Sequence, residues 1–156
     1  MVRAAGSQRG PTQLVAEHHR ELERACQALL APTYGDDPRE LALQYRGFER
    51  STLDHLAAEE ELILPAYADH APEDARAIRD EHAAIRKLLL RIGVEVELHF
   101  VREPTVKQLV DTLRAHAVRE ELSMYRWAAD HLPLSTRRQL FVRIGRSLRE
   151  LVRART

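Results

Sequence analysis

The sequence predicts an all-α protein, an antiparallel up-and-down four-helix bundle with an additional C-terminal amphipathic helix. Three observations carry this. Ala, Leu, Arg and Glu dominate a 156-residue chain in which aromatic residues make up only 5% and glycine only 6 residues, a composition that favours helices over a sandwich or barrel. Prolines and capping residues divide the chain into five helical segments joined by short connections. The sequence also repeats itself, each half reading as one helix hairpin.

The first segment is expected from about Thr12 to Ala31, where Pro32 stops it. After the loop Thr33 to Asp37, Asp37 caps a second helix that has Pro38 at its first position and Glu40 in its first turn, reaching about Asp69. Pro65 lies inside that segment and predicts a kink or an early end. Pro72 opens the third helix, with Glu73 and Asp74 placed where negative charge meets the positive end of the helix dipole, and the helix ends before Pro104. Thr105 and Gln108 read as a capping box for the fourth, which runs to about His131 and is closed by Leu132 and Pro133. Ser135 is expected to cap the fifth, whose Leu140, Ile144, Leu148 and Leu151 form one apolar stripe. Domain boundaries follow: residues 1–11 a flexible N-terminal segment, 12–133 the bundle, 134–156 a helix and tail packing on it.

The 44% hydrophobic content suits one domain able to bury its own core. Twenty-four basic and 24 acidic residues balance, so the chain as a whole carries no signature of nucleic-acid or membrane-surface binding. The distribution is uneven, with seven arginines against the single acid Glu150 between Ser135 and Thr156. One cysteine, Cys26, excludes an intramolecular disulfide framework and fits a reducing compartment. Met1 to Pro11 lacks the apolar stretch of a signal peptide and no apolar run is long enough to span a bilayer, so the expected location is cytoplasmic.

Shifted by 61 positions, His55, Glu59, Glu60, Ala68, Asp69, His70 and Pro72 fall on His116, Glu120, Glu121, Ala129, Asp130, His131 and Pro133. Upstream, Val15 to His19 falls on Ile78 to His82 at an offset of 63. Each half is therefore a helix with a histidine followed by a helix with His-x-x-x-Glu. Residues four apart share a helix face, so His55 with Glu59, and His116 with Glu120, each present an imidazole and a carboxylate together. With the hairpins packed about a pseudo-twofold axis, His19 and His82 complete a set of four imidazoles and two carboxylates in the core. Such groups destabilise a core unless they are partnered, and two metal ions sharing Glu59 and Glu120 would partner all six. The mixed nitrogen and oxygen donors suit iron better than magnesium or calcium; manganese and zinc also fit.

The order His, His-x-x-x-Glu, His, His-x-x-x-Glu resembles the hemerythrin-like domain family, the HHE cation-binding domain. It is carried by Glu17-His18-His19-Arg20-Glu21-Leu22, His55 to Glu61, Glu81-His82-Ala83-Ala84-Ile85 and His116 to Glu121, over about Thr12 to Pro133. The resemblance implies an oxygen-bridged di-iron site and a role in binding or sensing oxygen, nitric oxide or peroxide, in iron handling, or in peroxide breakdown. The oxygen-carrying members are similar but have His-x-x-x-His in the third helix, where this chain has Ile78 and His82, and Asp in place of Glu120. With one histidine fewer, the resemblance favours redox or peroxide chemistry over oxygen carriage. The alternative is an oxygen, nitric oxide or iron sensor, or an iron-binding module, without turnover.

Tyr45 is the tyrosine to inspect for a vacant coordination position, although a ring packed in the core is the commoner fate. His18 competes with His19 and loses, because apolar residues follow His19 at Leu22 and Leu29 as they follow His82 at Ile85 and Ile92. Glu60, Glu61 and Glu121 are candidates to orient the ligating histidines, Glu61 fitting better as a solvated charge. His70 and His131 read as helix C-terminal cations, His99 as solvated, and Cys26 as a small buried hydrophobe. The expected ligand is a small diatomic or peroxide. The arginine-rich face of the fifth helix is a candidate protein-partner surface, and the chain is expected as a monomer or homodimer.

Overall fold

The computed structural model describes residues 10–31 and 37–154. The expected flexible segment and the loop after Pro32 lie outside these, apart from residues 10, 11 and 37. All regular structure among the described residues is helical: α1 (Pro11–Ala28), α2 (Pro38–Leu62), α3 (Leu64–His70), α4 (Pro72–Glu97), α5 (Glu103–Leu122), α6 (Met124–His131) and α7 (Leu134–Arg153). The long helices close a ring in which α1 touches α2 and α5, and α4 touches the same two, while α7 packs across α1 and α2. Leu140, Ile144, Leu148 and Leu151 are buried in that packing, as their spacing predicts.

Local chemistry sets most boundaries. The Asp37 carboxylate accepts from the Arg39 and Glu40 backbone N–H groups at 2.9 and 3.4 Å, holding orphan donors at the start of α2. Pro65 has its effect: α2 stops at Leu62 and a separate short helix restarts after Ile63. A second break, at Ser123 between α5 and α6, was not expected because no proline stands there. The Ser123 hydroxyl donates back to the Arg119 carbonyl at 2.8 Å, a bond that bends helices.

Three boundary expectations are corrected. α1 ends at Ala28 rather than Ala31. Thr105 does not cap α5, which starts at Glu103; its hydroxyl donates instead to the buried Glu95 carboxylate at 2.7 Å, which also accepts from the Arg102 backbone. Ser135 lies inside α7, which begins at Leu134 behind Pro133. α4 ends before Pro104 as expected, through His99 in the left-handed region (φ 55°), with His99 N bonded to Val96 O and Phe100 N to Glu95 O.

Two apolar clusters fill the interior. One joins Leu22 and Cys26 of α1, and Leu29 just beyond its end, with Leu41 to Leu56 of α2, Ile85 to Val96 of α4 and Val106 to Leu113 of α5. The other joins Leu14, Val15, Ala58, Ile63, Ile78, Met124 and Ile144. Along α1 the residue numbers rise between clusters where along α2 they fall, so these two helices run in opposite senses. The layer between the clusters is polar: His19 lies between Val15 and Leu22, His82 between Ile78 and Ile85, and His116 and Glu120 between Leu113 and Met124.

Candidate metal centre

The polar layer brings together all six residues singled out by the repeat. All six, His19, His55, Glu59, His82, His116 and Glu120, are buried. They form two groups of four, His19 with His55 and His82 with His116, each completed by both Glu59 and Glu120. The carboxylates span the groups. Glu59 puts Oε1 2.9 Å from His55 Nε2 and Oε2 3.2 Å from His82 Nε2, while Glu120 puts Oε1 3.0 Å from His116 Nε2 and Oε2 3.5 Å from His19 Nε2.

All four imidazoles turn Nε2 inward and anchor Nδ1 outward. His19 Nδ1 meets Glu121 Oε1 at 2.9 Å, His82 Nδ1 meets Glu60 Oε1 at 2.8 Å, His116 Nδ1 meets Glu81 Oε2 at 2.8 Å, and His55 Nδ1 meets His18 Nδ1 at 2.8 Å. Arginines brace two of these carboxylates: Arg86 grips Glu60 with both Nη atoms, at 2.7 and 2.9 Å, and Arg119 Nε holds Glu81 at 2.6 Å. An outer carboxylate or carbonyl on the second ring nitrogen is how ligating histidines are oriented.

The donor set fits a metal ion. Glu59 Oε2, Glu120 Oε2 and His116 Nε2 are buried with no hydrogen bond, although imidazoles and carboxylates stand close by. Such orphans are costly in a core. Inward donors 2.9 to 3.5 Å apart match the edges of a coordination polyhedron, since ligand bonds of about 2.1 Å at right angles separate donors by about 3 Å. His19 Nε2 and His55 Nε2, 2.9 Å apart, make such an edge.

Without an ion, protons do part of the work. Burial opposes charge on His19, but the Glu120 and Glu121 carboxylates beside it raise its pKa to about 9. Burial likewise opposes charge on His82, and Glu120 and Glu59 raise it to about 10. Burial and mutual repulsion with Glu120 push Glu59 upward, yet His55 and His82 hold it below the ordinary carboxylate value. Burial also pushes Glu120 upward, but His116, His19 and His82 hold it well below that value.

Several residues at the site went unread in the sequence. Tyr125 donates its phenol proton to Glu59 Oε1 at 2.5 Å. Burial, followed by the charges of Glu59 and Glu120, keeps the phenol protonated. His18 loses to His19 as a candidate ligand but is fully buried, with Nε2 2.9 Å from Ser51 Oγ, which lies 2.7 Å from Ser147 Oγ on α7. Burial, then the neighbouring His55 and His19, holds its pKa well below the ordinary value. Glu81 matches His18 in the repeat, so the 63-residue offset contained the signal for both. Tyr125 has no counterpart, because Leu64 stands at the matching position of the first half.

Tyr45 is not at the site. It packs in the other apolar cluster and its hydroxyl donates to Leu89 O at 2.6 Å, so core packing is its role. Glu60 and Glu121 orient histidines, whereas Glu61 pairs at the surface with Arg143 of α7 at 2.6 Å. Cys26 is buried and its thiol is pushed up to about 12, first by burial and then by Glu23. His99 is exposed, and His70 and His131 end α3 and α6, where their rings stack with Trp127. An open groove of about 490 Å³ lies between Tyr45, Arg46, Leu90 and Val94 and contains none of the six residues.

No curated protein and no solved structure matches the chain. The description hemerythrin HHE cation-binding domain matches residues 10–128, which contain every residue of the cluster, and so the chain belongs to the hemerythrin HHE cation-binding domain family.

Proposed function

We propose that the chain is a non-haem di-iron protein, an antiparallel up-and-down four-helix bundle with an added C-terminal helix, that reacts with peroxide, oxygen or nitric oxide. Redox or peroxide chemistry is favoured over oxygen carriage. The observation that carries the reading is the pair of four-residue groups sharing both glutamates, with every imidazole Nε2 aimed inward. His19 and His55 would hold one iron and His82 and His116 the other, with Glu59 and Glu120 between them; manganese and zinc fit the same donors. Such a pair supplies a place for a small ligand and a store of electrons.

The protein's own residues do the rest. Glu121, Glu60, Glu81 and His18 fix the imidazole tautomers, and Tyr125 holds a proton at Glu59 Oε1. A cavity of about 10 Å³ lies between His19, His55 and His116 on one side and Leu22, Leu56 and Leu113 on the other. That is room for about one water-sized molecule, which favours a diatomic or peroxide over an organic substrate. Thr52 also lines it but spends its hydroxyl proton on the Phe48 carbonyl at 2.9 Å. The cavity wall facing the imidazoles is therefore apolar. Among the described residues no helix is long and apolar enough to cross a membrane, and a cytoplasmic location is part of this proposal.

The test is elemental analysis and an optical spectrum of protein purified without added metal, beside a His116→Ala, Glu120→Ala double variant. About two irons per chain with the near-ultraviolet absorption of a coupled iron pair, both lost in the variant, is the expected result. Rapid oxygen release from peroxide then assigns turnover, whereas a silent peroxide assay with a reversible spectral change on oxygen or nitric oxide assigns sensing. No metal in either protein, with unchanged helicity, refutes the reading.

A further inference from the structure

The internal repeat permits a comparison inside one chain, because equivalent positions of the two halves can be read against each other. Three of the four outward Nδ1 atoms meet a carboxylate: Glu121 at His19, Glu60 at His82 and Glu81 at His116. The fourth, on His55, meets an imidazole, His18, in the repeat position that Glu81 occupies in the other half. Glu60 and Glu121 obey the repeat; His18 and Glu81 break it.

The break changes the chemistry at one ligand. A histidine that binds a metal through Nε2 carries its proton on Nδ1 and donates it outward. His116 donates to a carboxylate 2.8 Å away, which strengthens the imidazole as a donor to the metal. His55 can donate only to a neutral acceptor, His18 Nδ1, at 2.8 Å. His18 then carries its own proton on Nε2 and passes it to Ser51 Oγ at 2.9 Å, and Ser51 meets Ser147 Oγ at 2.7 Å. The chain of bonds is complete and uncharged. It is also sealed, for His18, Ser51 and Ser147 are all buried.

From this asymmetry we infer that the two metal positions are unequal: the position at His82 and His116 binds tightly and fills first, and the position at His19 and His55 is the weaker, exchangeable one, with His18 as the positioning residue that sets the difference. The inference rests on the two-metal reading proposed above. Loss of an outer partner of a ligating histidine changes metal affinity by about 10- to 100-fold, which sets the expected gap. The weaker position supplies two of the three imidazoles that line the small cavity, so the exchangeable ion is also the one more open to a small ligand.

The experiment is a titration of zinc into the full chain stripped by a chelator, followed by competition with a chromophoric chelator at fixed pH. Zinc is redox-silent, so the readout is affinity rather than turnover. Two steps alone do not decide, because repulsion between two ions also splits binding, and the variants decide. His18→Glu should tighten the weak step by about tenfold or more and leave the tight step within about threefold. Glu81→His should weaken the tight step by about 10- to 100-fold and bring the two halves together. Thermal unfolding of the stripped proteins checks that both variants fold, and Glu81, being partly exposed, is the more tolerant site. Equal shifts of both steps, or no shift in either variant, overturn the inference. Failure of the natural chain to bind zinc at all overturns instead the two-metal reading beneath it.

Discussion

Replacing Tyr125 by phenylalanine removes one proton donor from Glu59 and nothing else of comparable size, since the ring keeps its shape in a fully packed position. In the metal-free protein that donor serves an ionised carboxylate in a water-poor core. A hydrogen bond to a charged group contributes about 1.5–3 kcal/mol, and Tyr125→Phe should lower stability by that amount. For a chain of this size, 1 kcal/mol moves the thermal midpoint by about 2–4 °C, so the expected drop is about 3–12 °C. With metal bound, the ion neutralises Glu59 and the phenol is worth only an ordinary hydrogen bond, about 0.5–1.5 kcal/mol. The assay is thermal unfolding by circular dichroism of natural protein and variant, each chelator-stripped and metal-loaded. The cost should be clearly larger in the stripped state. An equal cost in both states would show that no ion takes over the charge of Glu59, and would refute its role between two metals.

Further outcomes follow from the same site and its frame. Metal at about 100 times its dissociation constant should stabilise the chain by about 2.7 kcal/mol per site, raising the midpoint by about 5–11 °C for each ion, with chelator reversing the gain. For the stripped protein, His19 and His82 have folded pKa values raised from 6.5 to about 9 and about 10, so their stabilisation is complete below pH 6.5 and is lost as pH rises through those values. Urea midpoints should therefore fall between pH 7 and pH 10.5, and a flat or rising profile contradicts the buried ion pairs. His99→Gly should gain roughly 1 kcal/mol in urea unfolding, because a left-handed residue with a Cβ is strained where glycine is not. Gly93→Ala should destabilise by about 0.5–2 kcal/mol net, because its Cβ would stand 3.0 Å from the Tyr45 hydroxyl, which is pinned to Leu89 O, and that crowding outweighs the gain of about 0.5–1 kcal/mol from replacing a glycine inside a helix.

The sequence by itself determined whatever depends on neighbours along the chain. Asp37 with Pro38, Pro65 and Pro72 mark helix ends through backbone chemistry that acts within one turn. His55 with Glu59, and His116 with Glu120, share a face because four residues make about one helical turn. The repeat then extends that local rule to His19 and His82, and the structure brings all six side chains into one layer. The tertiary structure decided everything that depends on how helices cross. Thr105 fits a capping box by spacing, yet Glu95 folds back across the connection and takes its hydroxyl. Tyr45 is the tyrosine to inspect in one dimension; the packing sends its hydroxyl to Leu89 and brings that of Tyr125 to Glu59 instead. His18 points inward to His55 because α1 meets α2 and α7 there, a register no periodicity within α1 contains. A hydrogen bond between helices depends on the rotation and height of both, and those are fixed by the packing of the two apolar clusters above and below the polar layer.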